Sequence, residues 1–194
     1  MDLAQASVLI IGVGGIGSHV AVSLARAGVG HLHLIDFDVV EASNLGRQYY
    51  TYDDVGHVKV EALARHMREA NPSVLVTTQN EALTKGQLEL LCKTYRYIVE
   101  AVDKASTKAW INETVLTSPE QPYVVSCSGM AGFGDSNEIR IHRKSSHWYL
   151  VGDQTSDIDE IGKITAARVM VCAGHMGNTI IRCILDDSSE ERIK

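Results

Sequence analysis

Two hydrophobic textures alternate along this chain as far as Ser126. Ala6–Gly12 (ASVLIIG) is a nearly unbroken apolar run, the pattern of a strand covered on both faces in a parallel sheet. The spacing then turns helical over Ile16–Ala27, with Val20, Leu24 and Ala27 on one stripe and Gly28 and Gly30 to end it. His31–Ile35 (HLHLI) is a second strand ending at Asp36, which completes a βαβ unit with a right-handed crossover. The alternation continues through a helix over Val58–Ala70, ended by Asn71-Pro72, and a strand over Ser73–Thr78. A helix over Leu83–Lys93, a strand over Tyr95–Val102, a helix over Ala105–Leu116 and a strand over Tyr123–Ser126 follow. Repetition of this kind predicts an α/β fold, Rossmann-like and doubly wound, with a mostly parallel sheet and helices on both faces.

Beyond Ser126 the texture changes. Ser128–Ser136 is a glycine-rich loop, and Glu138–His142 alternates like an edge strand. Trp148–Val151 can pair with it as a short antiparallel C-terminal extension. Asp153–Gly162 is polar and acidic and reads as a mobile loop before a final helix from Ile164 to about Leu185. We expect one domain over residues 1–185 and a disordered charged tail over 186–194.

Composition narrows the class. The chain has 194 residues, 45% hydrophobic and 22% charged, which suits one globular domain and excludes global disorder. Eighteen Lys and Arg against 24 Asp and Glu give a net charge of −6, which argues against a general nucleic-acid binder. A local site for one nucleotide stays open. Cys92, Cys127, Cys172 and Cys183 form no CxxC pair, so a reducing compartment is expected and no zinc site. The start of the chain lacks signal-peptide texture, and the apolar stretch Val169–Leu185 contains His175, Asn178 and Arg182. It reads as a core helix rather than a membrane span, and the expected location is cytoplasmic.

Gly12-Val13-Gly14-Gly15-Ile16-Gly17 follows a strand and opens a helix, where backbone N–H groups can meet a phosphate. Asp36, at the end of the next strand, can bond ribose hydroxyls. These features alone suit NAD as well as ATP. Further polar groups separate the two: Asn44, Arg47 and Gln48 lie in the following loop, and Lys59 near the start of the next helix. A triphosphate needs such a series, because its negative charge must be offset before an anionic nucleophile approaches.

Together GVGGIGS (Gly12–Ser18), DFDVVEASNLGRQ (Asp36–Gln48), DVGHVKVEAL (Asp54–Leu63) and Asn71-Pro72 resemble the ThiF/MoeB/HesA family, relatives of ubiquitin-activating enzymes. VCAGHMGNTIIR (Val171–Arg182) resembles the short thiamine-biosynthesis ThiF branch. The resemblance implies an ATP-dependent adenylyltransferase acting on the C-terminal glycine carboxylate of a ThiS-like ubiquitin-fold sulfur carrier, in thiamine thiazole synthesis. Pyrophosphate leaves, Mg2+ assists, and the enzyme is a homodimer. By the same resemblance Gly12, Gly14, Gly15 and Gly17 shape the nucleotide loop and Asp36 holds the ribose. Asn44, Arg47 and Lys59 clamp phosphates, Gln48 supports their loop, and Asp103 ligates the metal.

The chain departs from the family's DxxDNxxxR pattern. It carries Glu100 and Asp103, then Lys104 for asparagine and Lys108 for arginine. Its first strand begins near residue 6, so the leading helix that supplies an arginine across the dimer in longer relatives is not expected. The cysteines read as core thiols, with Cys127 the best placed for chemistry, and His175 as a core histidine. Rival readings are adenylation of a molybdopterin-type carrier or of a small carboxylate or carbamoyl substrate, a non-catalytic nucleotide-binding subunit, and NAD-dependent oxidoreduction.

Overall fold

A computed structural model describes residues 2–191. In chain order the elements are β1 (Ser7–Ile11), α1 (Gly15–Ala27), β2 (His31–Ile35), α2 (Lys59–Ala70), β3 (Leu75–Gln79), α3 (Lys85–Cys92) and β4 (Tyr97–Glu100). They continue with α4 (Ala105–Leu116), β5 (Tyr123–Cys127), β6 (Arg140–Arg143), β7 (Trp148–Gly152), α5 (Ile158–Ile161) and α6 (Ala166–Glu191). The described strands form one sheet in the order β3-β2-β1-β4-β5-β7-β6. Every neighbouring pair is parallel except β6 with β7. The expected doubly wound sheet and its antiparallel extension are both present. Strand order reverses between β1 and β4, and the crevice at the carboxyl ends of those strands is where such sheets take ligands.

The apolar run in β1 is continuous because both of its faces are covered. Val8 and Ile10 join a core with residues of α1, α2 and α6, whereas Leu9 and Ile11 join a second core with α3 and α4. Asn71 explains the break after α2 beyond its proline neighbour, since its side-chain Nδ2 donates to the Ala25 carbonyl at 2.8 Å. That bond ties the end of α2 to α1.

Three expectations are corrected. Ala27 is exposed, so the buried stripe of α1 is carried by Val20, Ala21, Leu24 and Ala25 instead. Asp153–Gly162 is not a free loop, because it holds α5 and begins at a carboxylate ion-paired to Arg168 at 2.6 Å. Residues 186–191 of the expected disordered tail continue α6, and Asp187 accepts hydrogen bonds from Arg96, Tyr97 and Tyr123. Residues 192–194 lie outside the described residues. No described helix is long and apolar enough to cross a membrane.

Candidate functional site

The glycine loop between β1 and α1 is shaped by close backbone packing. Gly12 has φ +85°, and a Cβ there would stand 2.8 Å from the Ala101 carbonyl oxygen at the exit of β4. A Cβ on Gly17 would overlap the Gly12 carbonyl. Side chains at either position would push the loop off the sheet. Gly14 precedes the first turn of α1 and no side chain caps that turn, so its N–H groups face outward as an anion-binding end.

Asp36 is held beside this loop. One carboxylate oxygen accepts the Val13 N–H at 2.8 Å and the other accepts the Asp38 N–H at 2.9 Å. Each oxygen keeps a lone pair for a ligand hydroxyl. Tyr50 braces the same turn by donating its hydroxyl to the Val13 carbonyl at 2.8 Å. Burial, and then the charges of Asp36, Asp54 and Asp38, push the Tyr50 phenol well above its ordinary range, so it stays a donor.

The segment after β2 folds back on α1 through short local bonds. Asn44 is buried and accepts the Glu41 N–H at 3.1 Å. The Arg47 guanidinium donates to the Ser43 carbonyl at 3.0 Å, and the Tyr49 N–H donates to Ser18 Oγ at 3.0 Å. Gln48 is only 9% exposed and its Oε1 has no partner. Its Nε2 lies 3.8 Å from where a Gly14 Cβ would sit, so the side chain abuts the glycine loop. An orphaned acceptor at that depth is costly, and a donor on a ligand or on water would satisfy it.

Lys59 is not free. Its ammonium donates to Asp38 Oδ2 at 2.7 Å. The pair lines a cavity of about 160 Å³ with Val39, Glu41 and Asn44. That volume is below the roughly 300–1,000 Å³ of a pocket that encloses a small molecule, so it can take only part of a ligand. Asp38 was not singled out by sequence reasoning; its spacing in Asp36-Phe37-Asp38 is the signal that was available.

Asp103 stands across the switch point from these groups. It is exposed, one residue beyond Val102, and its carboxylate forms no hydrogen bond or ion pair among the described residues. No cluster of three metal-ligating side chains exists among those residues. One exposed carboxylate nonetheless suits Mg2+, which commonly takes one or two carboxylates and completes its shell with phosphate oxygens and water.

Behind Asp103 lies a buried polar network that sequence reasoning registered only as a departure from a motif. Glu100 Oε1 accepts from the Val102 N–H at 3.0 Å and from Lys108 Nζ at 2.9 Å, and Asn112 Nδ2 approaches Oε2 at 3.3 Å. Lys108 also reaches Cys127 Sγ at 3.2 Å. Burial pulls the Lys108 ammonium down, but the Cys127 sulfur and Glu100 carboxylate outweigh it and hold the pKa above the usual range. Burial raises the Cys127 thiol's pKa, and all four cysteines are buried. A nucleophilic cysteine gains no support from this setting.

The glycine-rich loop after β5 is clasped from α6. Arg168 donates to the carbonyls of Met130, Gly134 and Asp135 as well as to Asp153. No periodicity links these residues, and the sequence carried no sign of the contact.

The structure therefore brings the glycine loop, Asp36, Asn44, Gln48 and Lys59 to one edge of the sheet. Arg47 stands beside them, and Asp103 follows the Ala101–Val102 segment that packs against Gly12.

Comparison with known proteins agrees with this architecture. The chain is 36% identical over 114 residues to the adenylyltransferase and sulfurtransferase MOCS3 of Culex quinquefasciatus, covering 58% of this chain and 26% of that protein. It is 31% identical over 141 residues to the tRNA threonylcarbamoyladenosine dehydratase of Haemophilus influenzae, covering 72% and 53%. It thus spans about a quarter of the first relative and about half of the second. Among solved structures, the E. coli dehydratase TcdA in complex with AMP superposes with a TM-score of 0.84 at 24% identity, covering 96% of this chain and 89% of that one. E. coli MccB with ATP superposes at 0.69 and 25% identity, covering 93% and 55%. The model of the ThiF family matches residues 1–194, and the chain belongs to that family, whose ATP-dependent adenylyltransferase fold it shares.

Proposed function

We propose that this protein adenylates the C-terminal glycine carboxylate of a ThiS-like ubiquitin-fold sulfur carrier, with ATP as co-substrate and pyrophosphate as leaving group. The observation that carries the reading is the uncapped start of α1 beside Asp36, the Lys59–Asp38 cavity and the orphaned Gln48 oxygen. Phosphate oxygens would sit on the N–H groups of that helix end, and the ribose would bond Asp36. Lys59 would exchange its half-exposed partner Asp38 for a phosphate, and Arg47 would turn from the Ser43 carbonyl toward the same charge. The carrier carboxylate is already ionised, so the chemistry needs alignment and charge neutralisation rather than a general base. Asp103 would hold Mg2+, which supplies positive charge to phosphate oxygens when bound. The protein would act as a homodimer, which sedimentation can check.

The test is exchange of labelled pyrophosphate into ATP with MgATP and the carrier. Arg47→Ala, Lys59→Ala and Asp103→Ala should each abolish it, and exchange unaffected by all three would overturn the site. A second reading, adenylation of the carboxylate on a threonylcarbamoyl-tRNA nucleoside, is favoured by the near-complete overlap with TcdA. Mass spectrometry of carrier and tRNA after incubation with MgATP separates the two.

A further inference from the structure

Glu100 ends β4 fully buried and turns its carboxylate back onto its own chain. We infer that Glu100 is a positioning residue, supported by Lys108 and Asn112, which holds the Ala101–Lys104 turn and hence Asp103 in place for adenylation. This deepens the function proposed above and rests on it.

The turn is a shared wall. The Ala101 N–H donates to the Ile11 carbonyl at 2.9 Å, and its own carbonyl packs against Gly12. Movement of residues 102 and 103 therefore shifts Asp103, while the Ala101 bond to Ile11 keeps the floor of the glycine loop in place. Among the described residues Glu100 braces this segment: its Oε1 accepts the N–H of Val102, the residue before Asp103. Lys108 balances the buried charge from one turn into α4. Asn112 Oδ1 is buried without a partner, so the network is not a saturated structural pair. Glu100 and Lys108 thus keep one acid and one base in contact at 2.9 Å.

Removing one charge alone strands the other in the interior and endangers folding. The test therefore compares two doubly neutral variants, one of which keeps a side-chain oxygen to offer Val102. Glu100→Gln with Lys108→Met keeps an acceptor there; Glu100→Met with Lys108→Met does not. Amide hydrogen exchange and pyrophosphate exchange are measured on both. The Met/Met variant should lose protection at Val102 but not in β1. Its kcat should fall roughly ten-fold or more, with KM for ATP within about two-fold. The Gln/Met variant should keep protection and stay within about three-fold of wild type in kcat. Equal behaviour of the two variants, in protection and in kcat, overturns the inference. A wild-type chain that exchanges no pyrophosphate with any carrier would defeat the function alone. Amide protection would still decide whether Glu100 holds the turn.

Discussion

Two cation–carboxylate pairs of nearly equal length sit at opposite sides of the sheet's carboxyl edge. Arg168–Asp153 spans 2.6 Å with side chains 3% and 6% exposed, and Lys59–Asp38 spans 2.7 Å with side chains 7% and 50% exposed. Distance does not distinguish them; coordination does. Arg168 adds three backbone carbonyls to its carboxylate, and Asp153 also accepts from the Thr155 and Ser156 N–H groups and the Ser156 hydroxyl. Lys59 donates to Asp38, whose carboxylate is half in solvent and borders a cavity. The first pair has no vacancy to offer a ligand and acts as a rivet for the loop after β5. The second can trade its carboxylate for a phosphate at small cost, because water takes over the released Asp38.

The sharpest way to break this contrast is to cut each pair in turn. Arg168→Ala leaves a buried carboxylate unpaired and should cost about 3–5 kcal/mol, read by denaturant unfolding. Lys59→Ala should cost about 1 kcal/mol or less in the same measurement. If Lys59→Ala proves the more damaging to stability, the contrast fails. Its effect should appear in function instead: loss of a charge-stabilising donor should lower pyrophosphate exchange by about 100-fold or more.

Acid titration sharpens the comparison further. Burial tends to raise the Asp153 pKa, but the Ser156 hydroxyl, the Ser156 and Thr155 N–H groups and Arg168 outweigh it and hold it below the usual value. A depressed carboxylate stabilises the fold fully above its unfolded pKa of about 3.9, and that contribution is lost as pH falls through the lower folded value. Wild-type Tm should therefore decline steeply below about pH 4, and Asp153→Asn should flatten that decline while lowering Tm at neutral pH. The smallest effect belongs to Gln48→Met, which removes the orphaned oxygen. Stability should change by less than about 1 kcal/mol while KM for ATP rises, as steady-state exchange would show.

The sequence was informative where one physical constraint acts locally. Burial on both faces makes the run in β1 unmistakable, and α4 begins and ends at the expected Ala105 and Leu116. The glycine loop, Asp36 and Lys59 could be placed at one sheet edge because a βαβ unit leaves few alternatives. Side-chain partners were another matter. Asp38 reads as an ordinary loop acid until Lys59 is seen to reach it across 21 residues. Asp187 reads as part of a solvated tail, although Arg96 lies 91 residues earlier in the chain and pairs with it in space. Arg168 and Asp153 lie on separate elements whose approach only the closed fold defines. Long-range pairing of polar atoms leaves no periodic mark.

The course of α6 has a consequence for biosynthesis. Val169 near its start lies where a Cβ on Gly15 of the nucleotide loop would meet it, and Asp187 near its end binds Tyr97 and Tyr123 at the opposite edge of the sheet. At 1.5 Å per residue these anchor points stand about 27 Å apart along one rod. The glycine loop is thus finished by a helix made roughly 150 residues later in the chain. Until then α1 lacks its main packing partner and part of its apolar stripe stays uncovered, the kind of transiently exposed surface that favours aggregation.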